Sequence, residues 1–137
     1  MNALAAFLKP TVSNLEKEVV VSQRFVDEAG RPVPFRIKAL TQEENEALLK
    51  KAKRQKKVNG QIQETHDNVA YSRSLVLAAT LSPDFSNREL CEAYGVVDPS
   101  LLPGKMLFTG EYAALVQAIQ ELSGFQDEDL EGEAKNC

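Results

Sequence analysis

The spacing of apolar residues changes from segment to segment along this chain, and each spacing predicts an element. Ala3-Leu-Ala-Ala-Phe-Leu8 is a short apolar run that can close a helical turn. Pro10 would stop it, because proline disfavours helix at the residue before it. β-branched residues then gather at Val19-Val20-Val21, followed by Phe25 and Val26, as strands prefer. Asp27 to Pro32 contains Gly30, which suits the positive φ of a turn. After it, Val33, Phe35, Ile37 and Ala39 alternate with Pro34, Arg36 and Lys38, the period of a half-buried strand. The two strands predict a hairpin with a turn of several residues.

From residue 41 the period becomes helical. Thr41-Gln-Glu-Glu44 is a capping box, in which Thr41 and Glu44 satisfy each other's backbone amides. It predicts a helix over 42–57, with Glu43, Glu44 and Glu46 at its start and its bases at its end, as the helix dipole favours. The apolar stripe (Ala47, Leu48, Leu49, Ala52) is thin, so the second half of this helix should be wet. Residues 58–66 read as a polar loop, with Asn59-Gly60 as a turn signal. A helix over about 67–81 carries Val69, Tyr71, Leu75, Val76, Leu77, Ala79 and Leu81 nearly all round and should be the central helix, ended by Pro83. Ser86-Asn-Arg-Glu89 reads as a second capping box, opening a short helix to Tyr94 with Gly95 as its stop. Asp98-Pro99 could start a further helical turn ending near Pro103-Gly104. The last helix starts near Thr109 and puts Tyr112, Leu115, Val116, Ile119 and Leu122 on one face, with Gly124-Phe125 as its cap. Beyond Gln126 the chain is acidic and expected to be disordered. The expectation is an α+β fold: an N-terminal β-hairpin packed on a bundle of about four helices. One domain should cover 1–125, followed by a flexible acidic tail over 126–137.

Length and composition change this picture little. With 137 residues and 43% hydrophobic, the chain can build a core without a metal or disulfide staple. Cys91 and Cys137 are too few for a disulfide framework, which points to a reducing compartment. Met1 to Lys9 lacks the basic lead and long apolar run of a signal peptide, and no window approaches the roughly 20 apolar residues that span a bilayer. The expected location is the cytoplasm in which the chain is made. Charge is more informative. Lys50, Lys51, Lys53, Arg54, Lys56 and Lys57 place six of the 16 bases within eight positions, while Asp127 to Glu133 holds five of the 20 acids. That asymmetry invites an interaction.

Catalytic equipment is scarce. His66 is the sole histidine and is expected in a loop, so any Ser-His-Asp or Cys-His arrangement would have to use it. Two cysteines and one histidine fall short of the four ligands of a structural zinc site. Gly104-Lys105 resembles the end of a P-loop, but Pro99 stands where the required glycine should be. Glu43 and Glu44 are explained as capping groups. No enzyme activity, metal or cofactor is expected. The basic run could contact phosphates, yet no aromatic residue interleaves with it as a stacking platform. A solvated helix end, an acidic protein partner and, least favoured, nucleic acid all stay open for it.

The order of features resembles the XkdN-like tail assembly chaperones of long-tailed phages and prophages. The matching pieces are Leu-Ala-Ala-Phe-Leu-Lys near the start, Val19 to Phe35, Glu92-Ala-Tyr-Gly-Val96, Gly110-Glu-Tyr112, Ser123-Gly-Phe125 and Glu133-Ala-Lys-Asn136. No one of them is diagnostic, but the co-linear set runs from residue 2 to 136. The resemblance implies a non-enzymatic chaperone of the host bacterial cytoplasm, absent from the mature virion. It would bind the tape measure protein, a long apolar-rich helical chain, and keep it soluble until the tail tube polymerises. The tail tube protein and a second copy of the chain are further candidate partners, and no membrane partner is expected. Candidate contacts are Leu4, Phe7 and Leu8 near the start and Phe108 and Tyr112 at the last helix. The competing reading makes these five residues core. Ala134-Lys135-Asn136 can be encoded GCA AAA AAC, which contains a heptamer on which ribosomes slip back one base. The chain would then be the short form of a frameshifted pair. A minor structural component of the tail is the alternative role, and a nucleic-acid adaptor using 50–57 is a more distant one.

Overall fold

Residues 3–11 and 15–124 are described by the computed structural model. The acidic segment after Gln126 therefore lies outside the described residues. The alternation at Phe35 and Ile37 makes strand β2 (Phe35–Lys38): both side chains are buried, and Arg36 between them is exposed. β2 pairs antiparallel with β1 (Glu16–Val19), placing Val19 opposite Phe35 and Glu16 opposite Lys38. The expected first strand over Val19 to Val26 is thus displaced toward the N-terminus. β1 is a sheet edge whose side chains are exposed except for Val19, so β-propensity carries little weight there against pairing geometry. An ion pair across the strands, Arg36 to Glu16 at 2.6 Å, sits where hydrophobic packing is missing. Val20 and Val26 are exposed, and the turn expected over Asp27–Pro32 is the tip of a longer connection. There Val26 and Pro32 form an isolated bridge, and Gly30 takes φ +80°.

Helix α2 (Gln42–Lys51) begins with the expected capping box: Thr41 accepts the Glu44 amide, and Glu44 accepts the Thr41 amide. It does not continue to residue 57. Ala52, almost fully buried, caps it, and the Arg54 guanidinium donates to the Lys51 carbonyl at 2.9 Å, satisfying an orphan group of the last turn. The basic run is instead strand β3 (Lys53–Val58), and the expected polar loop is strand β4 (Gln61–His66). They pair antiparallel across Asn59-Gly60, whose φ values of +53° and +80° fit a two-residue turn that twists with its strands. This ribbon is exposed along nearly its whole length.

Helix α3 (Asn68–Ala79) is capped by Asp67, which accepts from the Val69 and Ala70 amides at 3.0 and 3.1 Å. It ends two residues earlier than its apolar run predicts, because Thr80–Ser82 become strand β5 on the free side of β2. Leu81 is the extra residue of a register shift there: Arg36 faces Ser82 and Ile37 faces Thr80. The three-stranded sheet runs β1-β2-β5. Helix α4 (Arg88–Ala93) is capped by Asn87 rather than Ser86, its side chain accepting from Leu90. Gly95, at φ +68°, closes α4 with the paired bonds Gly95 to Glu92 and Val96 to Cys91. Asp98 caps a 3-10 turn (Pro99–Leu101), and α5 (Leu102–Met106) runs through Pro103-Gly104 instead of stopping there. Pro103 fits because a first-turn residue has no intrahelical partner for its amide. Helix α6 (Thr109–Leu122) follows.

The α+β class holds, with six α-helices among the described residues rather than about four. The core lies between β2 and the helices: Phe35 and Ile37 meet Leu75, Val76 and Ala79 of α3 and Leu115 and Ile119 of α6. Phe85 and Leu102 close it, and Phe25, Phe35 and Phe85 form a chain of tilted rings with centroids 6.3 Å apart. Cys91 is buried here, its thiol donating to the Phe85 carbonyl, as a packing residue.

Candidate interaction surface

α3 has more apolar surface than the core can cover. Leu75, Val76 and Ala79 point inward, whereas Val69, in its first turn, is 58% exposed. The chain leaving α4 passes over this end of α3, and α5 then brings it back to the start of α6. Between them lies an open groove of about 670 Å³, with Val69 and Leu101 as its exposed apolar rim and Val96, Leu107 and Tyr112 as its more buried lining. Arg73 and Lys105 also line it, and among the described residues no carboxylate does. Val97, next to the lining residue Val96, is 98% exposed. An apolar trough with a basic margin suits an amphipathic helix that carries acids along its flanks.

One wall of the groove is fixed by a polar cluster at the start of α6. Glu111 accepts the Phe108 amide at 2.8 Å, half of a capping box, since phenylalanine has no acceptor to return. Arg24, from the β1–β2 connection, grips the same carboxylate and donates to the Met106 carbonyl at 2.9 Å. Its guanidinium lies 4.3 Å from the Phe108 ring centroid and 4.9 Å from that of Phe25. The hydrogen bond from Arg24, with smaller help from Ser22 and the Phe108 amide, pulls the Glu111 carboxyl down to about 2. Phe108 is thus held on one face by a cation and left 67% exposed.

The five residues singled out from sequence lie in different settings. Phe108 is exposed, whereas Tyr112 one turn later is half-buried against the core, its hydroxyl 3.1 Å from Ser72 Oγ. Leu4, Phe7 and Leu8 sit in α1 (Ala3–Leu8), which buries none of its residues. α1 contributes nothing to the lining of the groove. Ala134, Lys135 and Asn136 lie outside the described residues. His66 ends β4, exposed and opposite Lys53. Sequence reasoning missed Leu101, Val97 and Arg73. The available signal was α3 itself, because a helix apolar all round leaves one side uncovered unless every side meets the core. Among the described residues no group of acids, histidines and cysteines could hold a metal ion, and no helix is long and apolar enough to cross a membrane.

Comparison with known proteins gives this surface a context. The model of the phage XkdN-like tail assembly chaperone proteins matches residues 4–135. The chain belongs to that family. Among its relatives in Bacillus subtilis (strain 168) is the phage-like element PBSX protein XkdN, 37% identical over 131 residues that cover 92% of this chain and 88% of XkdN. The uncharacterized protein YqbN of the same strain is 39% identical over 131 residues, covering 92% and 87% of the two chains. The crystal structure of the protein yqbn superposes with a TM-score of 0.71 at 31% identity, over 88% of this chain and 96% of that one. The family is one of phage tail assembly chaperones, which makes components of the phage tail its partners.

Proposed function

We propose that this XkdN-like chaperone binds the tape measure protein and keeps it soluble in the host cytoplasm until tube subunits displace it, and that it is not retained in the virion. The observation that carries the reading is the open groove between α3 and the start of α6, apolar within and basic at its margin. A long helical chain that buries its apolar stripe only on tail assembly needs such a cover beforehand, and an open groove with few buried polar anchors releases it readily. Leu4, Phe7 and Leu8 of α1 provide a second apolar contact. Co-expression with the tape measure protein of the same phage is the test. The chaperone should raise the soluble fraction of the tape measure, and an unchanged fraction would remove the reading. Mass spectrometry of purified virions should lack this chain; a fixed copy number would instead make it a tail component.

The same reading makes residues 1–125 the working domain and 126–137 an acidic tail. Slippage at Ala134-Lys135-Asn136 would replace Cys137 with a longer segment. The codons decide the first step: AAG at Lys135 removes the heptamer.

A further inference from the structure

The β3–β4 ribbon carries a charge that the rest of the described structure leaves unanswered. Lys53 pairs with Glu64 at 2.9 Å, and Arg54 lies 3.9 Å from Asp67. Lys50, Lys51, Lys56 and Lys57 have no ion-pair partner among the described residues. The ribbon is pinned only at its base, where the Asp67 amide donates to the Ala52 carbonyl at 2.8 Å. Two of these cations lie on the exposed ribbon and two in the last turn of α2 that leads into it; like charges so placed repel one another, and a local anion relieves that repulsion.

The chain itself contains the complement. The 13 residues after Gly124 include Asp127, Glu128, Asp129, Glu131 and Glu133 against the single base Lys135. Their starting point is also right. Gly124 shares a small cavity with Thr41 and Gln42, and the Leu40 amide donates to Ser123 Oγ at 3.0 Å, so α6 ends beside the start of α2. The ten residues of α2 span about 15 Å to Lys51 and the ribbon beyond. Asp127 and Glu133 lie three and nine residues past Gly124, a reach of roughly 10 and 30 Å for extended chain. Glu43, Glu44 and Glu46 at the near end of α2 repel the segment and favour the far, basic end.

We infer that the acidic segment Asp127–Glu133 docks on the basic β3–β4 ribbon of the same chain. The contact shields Lys50, Lys51, Lys56 and Lys57 from other polyanions, nucleic acid included. It also holds the chain beyond residue 133 near the tip of the ribbon. It is electrostatic and opens with salt.

Zero-length carbodiimide coupling, which joins a carboxylate to an amine at ion-pair distance, tests it on the full chain in a mixture of light and nitrogen-15-labelled protein. Tail acids should couple to Lys56, Lys57, Lys50 or Lys51 within one isotopic chain. The yield should fall at least several-fold in 1 M salt or with Lys56→Glu and Lys57→Glu together. Coupling mainly between light and heavy chains would overturn the inference in favour of a second copy. Equal coupling to the exposed Lys9 and Lys105 would overturn it in favour of no docking.

Discussion

The Arg24 guanidinium holds both carboxylate oxygens of Glu111, at 2.5 and 3.2 Å, and so ties the long β1–β2 connection to the first turn of α6. Two segments far apart in sequence are fixed together where the groove wall begins. Glu111 titrates near 2 when folded, against an ordinary value of 4.5. A depressed acid stabilises the fold above its unfolded value, and that contribution is lost as pH falls through the folded value. Glu111→Gln should therefore melt below wild type at pH 7, and the gap should narrow between pH 4.5 and 2. A gap independent of pH in thermal melts would contradict the pairing.

The helix caps should be separable from the core. Asp67→Ala frees the Val69 and Ala70 amides and should cost about 1 kcal/mol, the usual value of an N-cap. Thr41→Ala should cost a similar amount at α2. Leu115→Ala, at a fully buried position, should cost roughly 2–5 kcal/mol. Urea titrations check all three, and a Leu115→Ala cost equal to that of the caps would mean the core is assigned wrongly.

The ribbon should open without the rest. Two-stranded sheets exposed on both faces are marginal, and the Ala52–Asp67 bond and the Arg54 contacts with Lys51 and Asp67 hold this one at its base. Gly60→Ala strains a backbone at φ +80°. Hydrogen exchange should quicken from Lys53 to His66 in that variant, while Phe35 and Ile37 exchange as in wild type. Equal acceleration in β2 would show that the ribbon is part of the cooperative core.

Local signals in the sequence made much of this fold legible, and long-range pairing hid the rest. Thr41 and Gly95 mark their helix ends in sequence and in space because caps act within a few residues. The basic run was misread for a physical reason. Its charges suit a helix C-terminus as well as a strand, whereas the burial of Ala52 and the Arg54 bond to Lys51 that end α2 depend on tertiary structure. Asn59-Gly60 was the better guide, since such a pair between two runs favours a hairpin over a loop. β5 is three residues long, too short for any period. The groove was hidden because Val69, Leu101 and Tyr112 meet only once α3, the 3-10 turn before α5, and α6 are packed. Phe108 stood out as a lone aromatic at a helix start, but its support from Arg24 could not be read from spacing.

Phe108→Ala should change stability little, since the ring is 67% exposed, yet it should weaken partner capture in a pull-down of the tape measure protein. A loss of several kcal/mol in stability would return Phe108 to the core.

The most direct measurement is the soluble fraction of the tape measure protein co-expressed with wild type, with Val69→Asp/Leu101→Asp, or with Lys56→Glu/Lys57→Glu. Both variants change exposed or rim positions and should keep the wild-type circular dichroism and melting point within a few degrees. The account predicts that wild type and the ribbon variant keep the tape measure soluble, while the groove variant leaves it in the pellet. A folded groove variant that protects as well as wild type would contradict the claim that this groove is where the tape measure is held.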